Sequence, residues 1–473
     1  MFVQRAVALV AVLCSAKAHI NDAEQKAVND DSRFVQPLPD WIEPFENHTK
    51  ALFTYITAGE GRGVAFDWLA ELVDTFGHRH LGTAALEDAI DFTVERLKAD
   101  GFDNVHTEDV PDLPHWERGD DLAELIEPRR HKLNILAVDG SPSADVTAEA
   151  IVVQSFDELN AKAKSGKVEG KIVVFLEKWS GYTQTVKYRG SAAIVEKAGG
   201  VGVLIKSIGT FSLYSPHTGS GARGANVPAA CITTEEAEMM YRMQERGNKL
   251  VIHLNFTSRE VGTVTSRNTV FEITGSEKPK EIVLLSGHMD SWDVGQGALD
   301  DGGGCAAVWH ALLVLKKFGV RPKRTIRVVL WTAEEQGLLG AKAYHKAHND
   351  SDETFFFVSE TDQGAFRPKS WSSHLTFSGT TEQMKTYDDI VLLINSFGVP
   401  LSIEPKAEQG DVTFWAKEGV PASNYITEQG RDYYFYFHHT DADYMTIFKD
   451  GDLEFTSAMY ATLAHVIANM DSW

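Results

Sequence analysis

From Glu281 onward the chain alternates short apolar, largely β-branched runs with helix-length segments, and ionisable groups follow each run within a few residues. The runs are Ile282 to Ser286, Arg327 to Leu330 and Phe355 to Val358. Helices are expected after Gly304, through Leu338 to His348 and over Gln383 to Phe397. A strand that is apolar on both faces needs cover on both, and crossover helices supply it most simply. The predicted class is therefore α/β, a mixed, mainly parallel sheet with helices on both faces. In such sheets ligands collect beyond the carboxyl ends of the strands, so the chemistry is sought there.

Upstream, Ala84 to Asp100 sets Leu86, Ile90, Val94 and Leu97 at helical spacing and stops at Gly101. A second helix is expected over Asp67 to Phe76 and a strand over Val105 to Val110. From about Ala150 to Asn255 the pattern shifts to short β-branched runs, Ile151 to Gln154, Ile172 to Phe175, Val203 to Ile205 and Val251 to Leu254, divided by helical segments and Gly-rich turns. Few carboxylates and histidines come together here. At 473 residues the chain exceeds what one small core needs. We expect an inserted α/β domain without its own catalysis over 131–260, between an N-terminal part of the main domain (19–130) and its catalytic part (261–473). Lys187 to Asn226 is expected to supply loops overhanging a neighbouring site.

The first residues combine Arg5, an apolar run from Ala6 to Leu13 and Ala16-Lys17-Ala18, the pattern of a cleaved leader over 1–18. That run is too short to span a bilayer, which takes about 20 apolar residues, so no membrane anchor is expected. The polar stretch from about Asn21 to Pro39 is expected to be flexible. A secretory route, to the lysosome or the exterior, agrees with sequons at Asn47, Asn255 and Asn349. Cleavage would leave Cys231 and Cys305, both in apolar surroundings and expected as buried free thiols. The net charge of −22 argues against nucleic acid as a partner, because that needs a basic face.

Directly after the first apolar run stands Gly287-His288-Met289-Asp290. Alternate strand residues point the same way, so Asp290 is expected to accept the second ring N–H of His288, leaving the other nitrogen for a metal. Next comes Asp300-Asp301 ahead of three glycines, which let backbone approach a bound ion closely. The second run leads into Glu334-Glu335, and paired like charges after a buried strand call for cations or protons. The third leads to Asp362, and Phe437-His438-His439-Thr440-Asp441-Ala442-Asp443 offers late imidazoles. Each piece alone has an ordinary structural explanation: a hydrogen-bonded histidine, a helix cap or polar surface. Successive strand ends offering His, Asp, Glu-Glu and Asp together point to a metal centre. Mixed imidazole and carboxylate donors suit zinc better than magnesium or calcium. There is no Gly-x-Ser-x-Gly elbow, no phosphate-binding Lys-Ser/Thr loop and no His-Glu-x-x-His.

The strings Ser286-Gly287-His288-Met289-Asp290-Ser291-Trp292-Asp293 and Trp331-Thr332-Ala333-Glu334-Glu335-Gln336-Gly337 resemble the co-catalytic dizinc aminopeptidase and carboxypeptidase family. Tyr214-Ser215-Pro216-His217-Thr218-Gly219 and Ala230-Cys231-Ile232-Thr233 are similar to a protease-associated-type insert within it. The resemblance implies a zinc exopeptidase fold with two zinc ions (Zn2+) per chain. Asp300 would bridge them, with Glu335 and His439 on one, His288 and Asp362 on the other, and Glu334 as general base. His439 is preferred to His438 because the family's ligand histidine has an aspartate at the spacing of Asp443. The resemblance further implies short peptide substrates, dipeptides with a free amino terminus, and a homodimer. Two departures stand out: Tyr444 replaces the usual Thr, and Gly77-His78-Arg79 replaces a Gly-Pro-Arg opening. His217 is a candidate to reach the site from an overhanging loop. Competing expectations are a non-catalytic binding protein on the same fold and a single-zinc glutaminyl cyclase.

Overall fold

The computed structural model of the protein describes residues 31–473 except Ser212, Glu408 and Gln409, so the expected leader over 1–18 lies outside the described residues. Sixteen strands follow in chain order: β1 Asp103–Glu117, β2 Leu122–Glu127, β3 His131–Leu133, β4 Ile135–Ala137, β5 Ala144–Val153, β6 Ile172–Phe175, β7 Gly202–Lys206, β8 Ala229–Ile232, β9 Leu250–Phe256, β10 Arg259–Ile273, β11 Lys278–His288, β12 Arg324–Trp331, β13 Thr354–Glu360, β14 His374–Phe377, β15 Ser402–Pro405 and β16 Ala422–Ile426. They form two eight-stranded sheets, ordered β1-β10-β12-β11-β13-β16-β14-β15 and β3-β2-β9-β5-β6-β7-β8-β4.

In the first sheet β12, β11, β13 and β16 run parallel at the centre, with antiparallel β10 and β14 on either side. The apolar runs explain this. Val283, Leu285, Val328 and Phe357 pack into one core with helices Glu43–Ala58, Gly303–Lys317 and Asp452–Asn469, whereas Ile282, Leu284, Val329 and Val358 face the opposite way, against helices Leu339–His348 and Thr413–Lys417. Both faces of the strands are thus covered, as an all-apolar strand requires. The expected helices are found at Val64–Phe76, Ala84–Ala99 and Thr381–Ser396. No described helix is long and apolar enough to cross a membrane.

Three features depart from the sequence expectations. β10 is not among the expected strands: its first half is exposed, with valines, threonines and a glycine after Arg259 and Glu260, and lacks the apolar face of a buried run. It nevertheless pairs with β1 along nearly its whole length. Asp31–Val35, within the stretch expected to be flexible, is a short 3-10 helix: Arg33 pairs with Asp388 at 2.7 Å and bonds to Asn395 at 2.8 Å. The second sheet begins at Leu122, upstream of position 131, and carries a separate core on each face. Cys231 and Cys305 are free and buried.

A polar cluster clamps the outer edge of the main sheet. His348, at the carboxyl end of its helix, sits 3.0 Å from both Glu108 on β1 and Glu353, and Arg327 on β12 grips Glu353 and Glu272. Burial would lower the pKa of His348, but hydrogen bonds to Glu108 and Glu353 raise it to about 9. A raised pKa means stability that is complete below the unfolded value and lost as pH climbs through the folded one. His348→Gln should therefore cost stability at about pH 6, and the gap to the parent should shrink by about 1 kcal/mol, discounted for partial exposure, by about pH 10. Chemical unfolding at both pH values measures it, and a constant gap would show that His348 is uncharged in the fold.

Candidate metal centre

The register of the central strands sets three loops side by side. His288, the last residue of β11, pairs with Trp331, the last of β12, and Ser286 pairs with Glu360, the last of β13. Glu334 and Glu335 then follow β12, and Asp362 follows β13. Asp300 arrives from the irregular turn Ala298–Gly302 that opens helix Gly303–Lys317. The carboxyl ends of the parallel strands thus gather the predicted residues, as the topology leads one to expect.

The geometry centres on Asp300. Its Oδ1 lies 3.2 Å from His288 Nε2, and its Oδ2 lies 3.2 Å from His439 Nε2. His288 Nε2 also lies 3.4 Å from Asp362, and His439 Nε2 lies 3.0 Å from Glu335. His438 stacks on His439 with ring centres 3.6 Å apart and comes within 3.4 Å of Asp300, but it touches no second carboxylate among the described ion pairs.

The supporting contacts divide the adjacent acids by task. Asp301 accepts the backbone N–H groups of His288 and Gly304, at 3.1 Å each, so its carboxylate caps the helix while Asp300 is left to the cleft. Asp290 departs from expectation. The second ring nitrogen of His288 donates to the Asp290 backbone carbonyl at 2.9 Å, with the nearer carboxylate oxygen at 3.7 Å. The carboxylate instead accepts the backbone N–H groups of Glu334 and Glu335. It is a positioning residue: the β12 loop turns back through Ala333, at φ +53°, and Asp290 catches the two amides that the turn exposes.

Three further supports escaped the sequence analysis. Asp443 accepts the amides of Leu299 and Asp300, which explains its spacing from His439. Arg79, fully buried, donates to the carbonyls of Met289, Gln296 and Gly297, so the unusual His78 opening keeps its arginine clamp. The third comes from the second sheet: Thr218 donates its N–H to the His439 carbonyl at 2.9 Å, and its own carbonyl lies 3.0 Å from His439 Nδ1. Trp292 Nε1, which can only donate, bonds to His439 Nε2 at 3.1 Å. Nε2 thus faces the indole N–H together with the carboxylates of Asp300 and Glu335, and Nδ1 faces the Thr218 carbonyl together with Arg189 Nη1. His217 itself is fully buried, has no hydrogen-bond partner and does not line the cleft; burial lowers it to about 3.

The electrostatics fit a cation. Burial, then repulsion from Asp300, pushes Glu335 well above the usual carboxylate range, and burial likewise raises Glu334, opposed by His288 and helped by repulsion from Asp362 and Glu335. Asp300 goes the other way: the imidazoles of His288, His439 and His438 around it outweigh its burial. Asp300 Oδ2, Glu335 Oε1 and Asp362 Oδ1 are buried without hydrogen-bond partners. Donor atoms of Asp300, His438 and His439, and of His288 with Asp301 and Asp362 or with Glu334 and Glu335, lie close enough to share an ion. Buried oxygens left bare beside imidazoles are a donor set suited to zinc. The cleft above them, about 300 Å³, is lined by Tyr182, Glu334, Asp362, Tyr434, Phe435 and their neighbours.

Comparison with known proteins is decisive at this point. Residues 268–463 match the model of peptidase family M28, and mouse carboxypeptidase Q is 42% identical over 93% of this chain and 93% of its own length. The chain belongs to peptidase family M28. Human carboxypeptidase Q is 40% identical over 97% of this chain and 95% of its own. The solved M28 peptidase precursor of Shewanella amazonensis SB2B superposes with a TM-score of 0.83 at 30% identity, covering 91% of this chain and 98% of that one. A zinc aminopeptidase of Bacillus subtilis shares the fold, at TM-score 0.66 and 20% identity over 87% of this chain and 96% of its own.

Asp290→Ala would strip two buried amides of their acceptor without touching a ligand. Activity should fall about 10–100-fold, as for other residues that orient ligands. The melting curve should stay cooperative, and an unchanged kcat/KM would remove Asp290 from the site.

Proposed function

We propose that the cleft hydrolyses short peptides, dipeptides with a free amino terminus, using two zinc ions and Glu334 as general base. The zinc-dependent exopeptidase class rests on membership of family M28 and on carboxypeptidase Q relatives along nearly the whole chain. The observation that carries the two-metal reading is Asp300, whose two oxygens face two separate histidines. His288 and Asp362 would hold one ion with Oδ1, and His439 and Glu335 the other with Oδ2. Bound there, zinc would polarise the scissile carbonyl and acidify a water.

The chain's own residues handle the proton. Glu334 is displaced from the ligand pairs, 3.9 Å from His288 Nε2, and its side chain is partly exposed to the cleft. Burial raises its basicity, which suits a group that must take a proton from the attacking water and return it to the departing amine. Asp290 fixes the backbone from which Glu334 projects. The free amino terminus rests on the family resemblance, and the cleft volume of about 300 Å³ favours short substrates. The leader-like residues 1–18 support a lysosomal or secreted location, and the family resemblance supports a homodimer.

Glu334→Gln should lower turnover by about 10²–10⁴-fold while zinc stays bound. Asp300→Asn should release both ions. Zinc per chain and dipeptide hydrolysis, with free and acetylated amino termini, before and after chelation, test the proposal together. Two ions per chain without peptide cleavage would overturn the substrate class, and a single ion would overturn the bridging role of Asp300.

A further inference from the structure

Buried arginines in this fold are satisfied by acceptors, with one exception. Arg79 donates to backbone carbonyls, Arg324 to Glu281 and two carbonyls, and Arg327 to Glu272 and Glu353. Arg189, from the inserted segment, is 2% exposed, yet among the described residues no carboxylate comes within ion-pair distance and its Nε has no hydrogen-bond partner. Its Nη1 lies 3.0 Å from His439 Nδ1, a ring nitrogen that also faces the Thr218 carbonyl and brings no counter-charge. A buried cation with no counter-charge in ion-pair range is costly, and its field acts on the groups it touches.

The remaining contact shows where that charge is directed. Arg189 Nη2 donates to the Tyr182 hydroxyl at 3.1 Å, and the guanidinium lies over the Tyr182 ring at 5.4 Å. Tyr182 lines the cleft with Glu334, Glu335, Asp300 and Asp362, its ring stacked on Phe435 and edge-on to His438. Burial pushes its phenol to about 12, so the hydrogen is present at neutral pH. With a lone pair taken by Arg189, the hydroxyl has its hydrogen to offer to the cleft, strengthened by the cation behind it. Beside its carboxylates the cleft lining includes the neutral donors Thr183, Gln363, Tyr434 and Tyr182, and Tyr182 is the one among these with a buried guanidinium behind it.

We propose that Tyr182, backed by Arg189, binds the terminal carboxylate of a short peptide, so that the inserted sheet supplies the residue that selects a free carboxyl end. This rests on the peptidase reading of the site. The test compares a free-amine dipeptide with its carboxyl-terminal amide, using the full mature protein with zinc. The parent should prefer the acid by at least about tenfold in kcat/KM, the worth of one charge-assisted hydrogen bond. Tyr182→Phe keeps the ring packing and loses one oxygen; the preference should collapse toward unity through a higher KM for the acid. Arg189→Met should do the same, with Arg189→Lys restoring part of it. A parent indifferent to the amide, or a Tyr182→Phe variant with the preference intact, overturns the proposal. So does an Arg189→Met variant that loses both substrates equally together with its zinc, which would make Arg189 a support for His439. If the parent cleaves neither compound, the peptidase reading fails and this inference falls with it.

Discussion

Like charges held out of water at one end of a sheet are the condition the rest of this structure answers. Asp300, Glu334, Glu335 and Asp362 converge with Asp301 close behind. Their mutual repulsion in a buried setting is expensive unless cations, protons or oriented donors offset it. The fold supplies donors to the acids that hold the loops: Asp301, Asp290 and Asp443 each accept two backbone amides. Bare oxygens remain on Asp300, Glu335 and Asp362, where a metal would take them, and also on nearby Glu360 and Asp411, which burial raises above the usual carboxylate range. Backbone strain sits at the same place, since Ala333 and His439 both adopt left-handed φ, at about 1–3 kcal/mol each. Packing of the covered sheet is the source of stability that can sustain this.

That His288, Glu335 and Asp362 would gather was legible because they stand at or just beyond the ends of apolar strands, and a strand's end fixes where the next few side chains go; Asp300, on a turn opening a helix, and His439, after the short helix Tyr434–Phe437, were joined to them by the family resemblance. The α/β class was legible for the same reason. The role of Asp290 was not, because the alternation rule gives the side a residue faces and not whether its carboxylate or its carbonyl reaches the histidine. Asp443, Arg79 and Thr218 act on partners far away in the chain, and no local spacing announces such contacts. β10 was not legible as a strand: its outer half is exposed, with valines interspersed among glycine and threonine, and its buried inner half, Val270 to Ile273, is too short a run to stand out alone.

Arg79 and Asp443 brace the turn carrying Asp300 from opposite ends of the chain, one before the first sheet strand and the other near the carboxyl terminus. The inserted segment adds Thr218 behind His439 and Tyr182 beside the cleft. The site therefore draws on both sheets, although every proposed ligand lies on or around the first.

The reciprocal hydrogen bonds between Thr218 and His439 tie the candidate centre to the folding of both sheets. The two residues stand 221 positions apart, so the contacts exist only while the segment carrying Thr218 is packed against the loop carrying His439. Local opening of that seam would loosen His439 without unfolding the first sheet, which makes the geometry of the site more fragile than the fold that carries it.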